Sequence, residues 1–356
     1  MLPAKIPVAV LGATGVVGQR FIARLARHPR FEIAHLCASE KRIGLRLDEA
    51  AAWRLCDRGG SLPYAGLGSK RLLPADPAHA PAPVVFSALD TSVALEVEPA
   101  FARAGAMVFS NASAFRAEAD VPLLVPEINA AHLELLSEQR AKRKWSGAIV
   151  CNPNCTATVL ALALAPLHLA FGVEAVSLVS MQAISGAGYP GVASLDILGN
   201  VIPFIRGEEE KVGAETNKML GRLLGGAVEH ATIVFSTSCN RVAVEDGHTL
   251  AVSVRLRGAP SVDSVRAAIE RWRPLQEAKL HSAPSAPLLL HSAEDRPQPR
   301  RDVETSDGMQ VHVGRVRTCP LMGIQFIAMG HNAERGAAGA SVLNAELALA
   351  RGWLPG

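Results

Sequence analysis

The residues best suited to covalent chemistry lie in the stretch Ile149-Val-Cys-Asn-Pro-Asn-Cys-Thr-Ala-Thr-Val159. A β-branched apolar run ends at Val150, Asn152-Pro153-Asn154 breaks it, and Cys155 opens an apolar segment reaching Leu164. Proline and the residue before it do not continue a helix, whereas Asn154 suits the N-cap of one starting at Cys155. The pattern predicts a thiol at a helix N-terminus, where backbone N–H groups favour the thiolate. A thiolate attacks carbonyl carbon. Standing alone, Cys155 reads more readily as inert core, the usual fate of a free cysteine. Cys151, on the strand before it, has no partners by motif and is read as structural.

A chain of 356 residues suggests two domains, each with its own core, and 49% hydrophobic residues fit an ordered globular protein. No apolar run approaches membrane-spanning length, and the first residues lead directly into a strand, so neither a membrane segment nor a signal peptide is expected. The six cysteines show no paired metal-type spacing. They read as reduced thiols of a cytoplasmic protein, with no metal site. A net charge of +3 and 4% aromatic residues argue against nucleic acid as a partner.

The elements that must position the chemistry begin at the N-terminus. Ile6 to Leu11 is a short apolar strand, followed at once by Gly12-Ala13-Thr14-Gly15-Val16-Val17-Gly18 and then by helical spacing from Gln19 to Ala26. Strand, glycine turn and helix open a dinucleotide-binding unit in which the pyrophosphate rests on the helix N-terminus. Gly12, Thr14, Gly15, Val16, Val17 and Gly18 are the expected contacts. The second strand, Phe31 to Ala38, runs into Ser39-Glu40-Lys41-Arg42. A hydroxyl with cations at Lys41 and Arg42 suits a 2′-phosphate, so NADP is expected over NAD; Glu40 is the residue that favours the opposite reading. Val84 to Leu89 is a further strand carrying Ser87, and Ser92 to Ala104 is a helix. Ala106 to Ser110 is a strand running into Asn111 and on to Arg116. That tail belongs in the crevice at the strand ends, where Arg116 could clamp a phosphate or carboxylate. Gly44 to Pro83 is irregular.

Beyond Cys155, Val176 to Ala183 reads as a strand with Gln182 near its end, and Ile184-Ser185-Gly186-Ala187-Gly188-Tyr189-Pro190-Gly191 as a glycine-rich loop. Glu208, Glu209 and Glu210 open a helix through Leu220; acids in a first turn also compensate the helix dipole. Ile233 to Thr237 and Leu250 to Leu256 read as strands, with Arg241 and His248 in the connection between them. Ala283 to Val303 looks like an extended excursion, over a partner subunit. Ile324 to Met329 is a strand and Ala337 to Ala350 a helix that returns to the nucleotide domain.

A thiol nucleophile, a dinucleotide site and a candidate base together point to aldehyde oxidation through a thioester. Histidine is the natural base near neutral pH, and the chain has eleven. In order along the chain come Gly-Ala-Thr-Gly-Val-Val-Gly (12–18), Ser-Asn-Ala-Ser-Ala-Phe-Arg (110–116), Val-Pro-Glu-Ile-Asn (125–129) and Asn-Pro-Asn-Cys-Thr (152–156). They are followed by Gln-Ala-Ile-Ser-Gly-Ala-Gly-Tyr-Pro-Gly (182–191), Glu-Glu-Glu-Lys (208–211), Asn-Arg-Val with Gly-His (240–242, 247–248) and His-Asn-Ala-Glu-Arg-Gly-Ala-Ala-Gly (331–339). With these motifs the sequence resembles the aspartate-β-semialdehyde dehydrogenase family, in its archaeal and fungal branch, over nearly its whole length.

The resemblance implies an α/β architecture like that of glyceraldehyde-3-phosphate dehydrogenase. A Rossmann-type NADP-binding domain (1–150, completed by a C-terminal helix over 336–356) would be joined to an α+β catalytic and dimerisation domain with a mixed sheet (151–335). It implies Cys155 as nucleophile, His248 as the acid/base that activates it, and Gln182 as the residue orienting the acyl group. Arg241 would bind the substrate carboxylate and Glu208 the ammonium, with Glu209 as the fallback. Lys211 and Arg116 would hold phosphate, beside Asn111. Ser87, Ser185, Gly186 and Asn332 would contact the cofactor, Asn332 near the nicotinamide. The reaction implied is NADP-dependent reductive dephosphorylation of L-aspartyl 4-phosphate, in the pathway to lysine, threonine and methionine, by a homodimer or homotetramer. Ala243 stands where relatives commonly have proline, which removes no reacting group. Malonyl-CoA reductase shares the architecture and the cysteine chemistry and is the alternative enzyme. N-acetyl-glutamyl-phosphate reductase is more distant. A non-catalytic NADP-binding relative would be expected to lose the nucleophile or base, and Cys155, Gln182, Arg241 and His248 are all present.

Overall fold

The computed structural model describes residues 4–55, 63–275 and 278–354; Cys56 lies outside them. Five short runs rich in β-branched and aromatic residues form a parallel sheet: β1 (Ile6–Leu11), β2 (Phe31–Cys37), β3 (Val84–Ser87), β4 (Met107–Ser110) and β5 (Ala148–Cys151). They lie in the order β2-β1-β3-β4-β5, all pairs parallel. Every residue of β3, β4 and β5 is buried. This is why these strands read as continuous apolar runs: crossover helices cover both faces of a parallel sheet, so neither face is selected to be polar.

The second sheet has six strands: β6 (Val173–Gln182), β9 (Val234–Arg241), β10 (His248–Leu256), β11 (Leu288–Leu290), β12 (Val311–Cys319) and β13 (Gly323–Gly330). A small hairpin of β7 (Arg222–Leu224) and β8 (Ala227–Glu229) stands apart. The order in the six-stranded sheet is β11-β12-β13-β10-β6-β9, with β6/β9 and β11/β12 parallel and the other pairs antiparallel. Along β10, Leu250, Val252, Val254 and Leu256 are buried while Thr249, Ala251 and Ser253 are half-buried and Arg255 exposed. That alternation marks a sheet with one face in the core. The core face is covered by the helix Cys155–Phe171, which packs on β6, β10, β12 and β13. It is buried continuously from Thr156 to Leu167, so it is apolar all round and not amphipathic. Each of its buried leucines contributes roughly 1.5–3 kcal/mol.

By internal contacts one unit comprises Met1–Leu124, His132–Asn152 and Ser341–Gly356, and the other Val125–Ala131 and Pro153–Ala340. This partition departs from a cut at 150 and 335. Val125–Ala131 joins the second unit, where Glu127 accepts from the Arg335 guanidinium at 2.6 Å, both side chains being 1% exposed. Breaking such a buried pair costs about 3–5 kcal/mol, so these segments stay together. In the first unit, the helix Ala338–Ala350 contributes Glu346, 2.8 Å from buried His28, and Asn344, whose Nδ2 donates to Asn152 Oδ1 at 2.7 Å.

Two expectations need correction, and one strand lay outside them. Arg241 and His248 are not in a connection: β9 runs on to Arg241, and β10 begins at His248. Alternation with few large apolar residues hid the second half of β9. Residues 283–303 do not simply stray outward. Leu288–Leu290 adds an edge strand parallel to β12, and Arg296 and the Gln298 N–H bind buried Asp302, which holds the segment down. Finally, residues 311–319 form a full strand that composition did not announce, because arginines and glycine interrupt its pattern.

Candidate active site

The register of the mixed sheet brings three of the candidate residues to one end. Gln182, the last residue of β6, pairs with Arg241, the last of parallel β9, while antiparallel β10 starts there with His248, one residue beyond the Met181–Thr249 pair. All three are buried, His248 completely. The Cys155 helix starts beside them. Asn154 caps it, its Oδ1 accepting from the N–H groups of Thr156 at 2.9 Å and Ala157 at 3.0 Å. Cys155 Sγ then lies 3.2 Å from His248 Nε2.

Glu208 binds the rest together. Its Oε1 accepts from Asn154 Nδ2 at 2.8 Å, Gln182 Nε2 at 3.1 Å and Thr156 Oγ1 at 3.3 Å. Successive residues of a helix point about 100° apart, so the three adjacent glutamates diverge. Glu209 accepts the Cys239 N–H at 2.9 Å, and Glu210 is exposed. Glu208 is therefore the acid at the Cys155 turn, and Glu209 is used elsewhere. Lys211, one turn along, is exposed.

The electrostatics follow from burial. Desolvation, with Arg241 and His331 nearby, pushes the His248 pKa down to about 3, so the ring is neutral at working pH. Burial also lowers the Arg241 pKa, while Cys155 and Glu208 pull the other way. Arg241 Nη1 donates to the Ala183 carbonyl at 2.8 Å. A Cβ on Gly186, a residue expected at the cofactor, would lie 2.8 Å from Arg241 Nη1 and 3.0 Å from His248 Cε1. Its bare backbone lets both side chains close in. Ser185 and Asn332 do meet: Asn332 Nδ2 donates to Ser185 Oγ at 2.8 Å and Ser185 Oγ to Asp246 Oδ1 at 2.6 Å. The Gly247 N–H donates to Asn332 Oδ1 at 2.9 Å.

Two functional neighbours escaped the sequence. Glu215 Oε2 accepts the Asn154 N–H at 2.5 Å, holding the turn just before the thiol. The signal was its spacing of seven from Glu208, two helical turns along one face. Gly336 lies so near Cys155 that a Cβ on it would meet Cys155 Cβ at 2.5 Å. Nothing local to the glycine marked that approach.

The remaining candidates lie in the first unit. Gly12 has φ +77°, and a Cβ there would lie 2.5 Å from the Ala88 carbonyl oxygen; on Gly18 it would overlap the Gly12 carbonyl at 2.1 Å. Gly15 caps the helix Val16–Leu25 without any side-chain bond, and a Cβ there would touch a single atom, 3.5 Å away. An uncapped helix N-terminus with open space above its glycine fits a pyrophosphate. Arg42 Nη1 donates to Thr14 Oγ1, which brings a cation to the glycine turn, and Ser39 precedes the short turn Glu40–Arg42 with Lys41 exposed. Ser87 is buried at the end of β3. Asn111 donates to the Ser87 carbonyl at 3.0 Å and accepts from Asn152, and Arg116 Nη2 donates to the Asn111 carbonyl at 2.7 Å. Beside them is a group the sequence did not suggest: Glu98, bonded by Ser110 Oγ at 2.7 Å, whose carboxyl burial pushes up to about 7.

Among the described residues, His291, Asp302 and His312 hold possible ligand atoms within 4.8 Å of one another. Arg296 already pairs with Asp302 and the two imidazoles bond each other at 3.0 Å, while His312 Nε2 is buried without a hydrogen-bond partner.

The family models align with both parts of the chain. "Semialdehyde dehydrogenase, NAD binding domain" matches residues 7–136, and "Semialdehyde dehydrogenase, dimerisation domain" matches residues 164–334. An aspartate-semialdehyde dehydrogenase of Archaeoglobus fulgidus is 48% identical over 96% of this chain and 98% of its own length. The chain belongs to the aspartate-semialdehyde dehydrogenase family. An aspartate-semialdehyde dehydrogenase of Schizosaccharomyces pombe is 41% identical over 97% of this chain and 98% of its own. The crystal structure of the Candida albicans enzyme with NADP superposes with a TM-score of 0.88 at 37% identity, covering 98% of this chain and 99% of that one. Aspartate semialdehyde dehydrogenase II of Vibrio cholerae, complexed with ASA, gives 0.76 at 26% identity over 98% and 99%. The fold is that of aspartate-semialdehyde dehydrogenases: a Rossmann-like NAD(P)-binding sheet followed by a dimerisation domain with a mixed sheet. The chain is an enzyme of this family. No helix among the described residues is long and apolar enough to cross a membrane.

Proposed function

We propose that this enzyme reduces L-aspartyl 4-phosphate to L-aspartate 4-semialdehyde with release of phosphate, and runs the reverse phosphorylating oxidation, through a thioester on Cys155. The observation that carries this reading is the pairing of Cys155 Sγ with His248 Nε2 at 3.2 Å, at the start of a capped helix. The bound nicotinamide supplies or accepts the hydride. Cys155 attacks the carbonyl carbon and holds the acyl group, and Gln182 orients the acyl oxygen. Arg241 grips the substrate carboxylate with a planar fork. Glu208 Oε1 already takes three donors, so the substrate ammonium is met by Oε2. Lys211, Arg116 and Asn111 hold the phosphate, since a dianion needs more than one cation.

NADP is the proposed cofactor, held by the Gly12–Gly18 turn and, at the 2′-phosphate, by Ser39, Lys41 and Arg42. The relative solved with NADP supports that choice. Ser87, Ser185, Gly186 and Asn332 complete its contacts. Residues 1–150 with the C-terminal helix form the NADP-binding domain and residues 151–335 the catalytic one. The half-buried face of β10, with Thr249, Ala251 and Ser253, serves a homodimer that can pair again into a tetramer. The enzyme works in the cytoplasm, in synthesis of lysine, threonine and methionine.

The test is phosphate-dependent NADP reduction by purified protein with aspartate semialdehyde. Activity absent there but present as NADPH oxidation with malonyl-CoA overturns the substrate assignment in favour of malonyl-CoA reduction.

A further inference from the structure

Three segments of the second unit meet beside the start of β10: residues 184–187, 244–247 and 331–332. Backbone bonds join the first two, from the Ile184 N–H to the Val244 carbonyl at 2.7 Å and from the Ser185 N–H to the Glu245 carbonyl at 3.2 Å. Side chains bring in the third. The Gly247 N–H donates to Asn332 Oδ1 at 2.9 Å, and a backbone N–H can only donate. That bond fixes which end of the Asn332 amide is oxygen, so the atom 2.8 Å from Ser185 Oγ is the donor Nδ2. Ser185 Oγ therefore accepts there, and its single proton goes to Asp246 Oδ1 at 2.6 Å, where a carboxylate only accepts. Donation runs one way, from Asn332 through Ser185 to Asp246.

We propose that Asp246 is a positioning residue for the nicotinamide. It holds the Ser185 hydroxyl, and through it the Asn332 amide, so that Asn332 offers an N–H to the carboxamide oxygen of the cofactor. This rests on the reading that Asn332 meets the nicotinamide. Asn332 Nδ2 carries two hydrogens and Ser185 takes one; among the described residues none accepts the other. Oδ1 is committed to Gly247, so the amide presents a donor to its ligand. On a carboxamide, the oxygen is the group that answers a donor. The carboxylate at the far end polarises the chain, and hydrogen bonds in series strengthen one another. Held at that oxygen, the ring cannot turn over in its site, which keeps its hydride-carrying carbon toward the acyl group.

Asp246 is itself held in place. Gly247 after it has φ +101°, the region that favours glycine, and a Cβ there would lie 3.1 Å from Pro299 Cβ and 3.2 Å from Val303 Cγ2. The backbone beside Asp246 is thus wedged against the segment 299–303. Its other oxygen, Oδ2, stands 3.9 Å from His331 Nε2, which leaves Oδ1 to Ser185. The Asp246 side chain is only 16% exposed, so its bond to Ser185 is shielded from most of the competing water. Glu245, the acid one residue earlier, is exposed and joins the cluster through its carbonyl.

Oxidation of aspartate semialdehyde at saturating phosphate, with NADP and with thionicotinamide-NADP, tests this. The analogue carries sulfur in place of the carboxamide oxygen and accepts a hydrogen bond more weakly. Intrinsic differences between the two cofactors are the same for every variant, so a change in the kcat/KM preference isolates the contact. Asp246→Ala should lose roughly 3- to 10-fold with NADP, the worth of one hydrogen bond, and much less with the analogue. Asp246→Asn keeps an accepting oxygen for Ser185 and should restore most of the wild-type preference. Equal losses with both cofactors, as a purely structural role would give, overturn the proposal, and so does an unchanged preference. Should Asp246→Ala fail to fold by circular dichroism, Ser185→Ala cuts the same link and is read in the same way. Asn332→Ala separates the proposal from the reading beneath it. A preference unchanged in Asn332→Ala means that Asn332 does not meet the nicotinamide; a preference lost there but kept in Asp246→Ala removes Asp246 alone.

Discussion

The glycine turn of the first unit and the Cys155 centre of the second are both helix N-termini, yet they are built in opposite ways. The turn is one contiguous stretch, Gly12 to Gly18, whose function lies in what its residues lack: no Cβ at Gly12 or Gly18, where one would overlap backbone, and no side-chain cap at Gly15. The Cys155 helix is capped by Asn154, braced by Glu215 and Glu208, and faced by His248 from another strand. One end is left open for a ligand's charge to complete. The other is finished by protein, so that the charge it handles develops on sulfur and on the substrate. A helix terminus specifies neither role; its capping does.

The sharpest test of the contrast is Cys155→Ala. It should lower turnover on the order of 10⁴-fold or more, the scale seen when a nucleophile is removed from a working constellation. NADP binding, followed by fluorescence titration, should not change. Next comes Gly336→Ala, whose Cβ would press on Cys155 Cβ. A displacement near 1 Å at a reacting atom costs about 10²-fold, so kcat should fall by that order while the fold survives by circular dichroism. An unchanged kcat would mean that the 331–340 segment yields more easily than its packing implies.

Arg42→Ala probes the open terminus. Losing a charged hydrogen bond costs about 1.5–3 kcal/mol, so KM for NADP should rise roughly 10- to 100-fold with KM for NAD and kcat little altered. Equal effects on the two cofactors would remove Arg42 from the 2′-phosphate. Glu215→Ala should cost about 1–3 kcal/mol at the Asn154 N–H, seen as a roughly 10-fold fall in kcat, and Glu215→Gln should restore most of it because the amide keeps an accepting oxygen.

The two units also differ in acid. His248 and His312 are buried neutral, with pKa values pushed to about 3 and about 4. In the unfolded chain they titrate near 6.5, so the stability they retain above that pH is lost as it falls toward the folded values. At pH 5 this amounts to about 2 kcal/mol for His248. Glu98 has the opposite sign: raised to about 7, it stabilises below the unfolded carboxylate range and loses that as pH rises to 7. Urea midpoints should therefore fall for the wild type between pH 7.5 and 5. Glu98→Gln should raise the midpoint at pH 8, where the wild type buries a charge.

Much of the nucleotide unit could be read directly, because its strands are buried on both faces and its turn is local: Ile6–Leu11, the glycine turn and the helix over 16–25 all follow one another. Cys155 at a helix start was legible for the same reason, since Asn154 signals its cap within one residue. The end of β9 was not. Ser236 and Ser238 face outward and carry no apolar signal, so Arg241 looked like part of a loop. Nor could three adjacent glutamates be separated until the helix sent Glu208 to Asn154 and Glu209 to Cys239.

What the sequence determined by itself is therefore the inventory: a thiol at a helix start, a glycine turn after a strand, and side chains of the right kinds in the right order. Those depend on backbone geometry within a few residues, which amino-acid type controls. Tertiary structure alone decided which nitrogen of His248 meets the sulfur, which glutamate reaches the turn, and that Gly336 must have no side chain. These depend on strand register and on the approach of residues far apart in the chain, where a shift of one position turns every side chain to the other face.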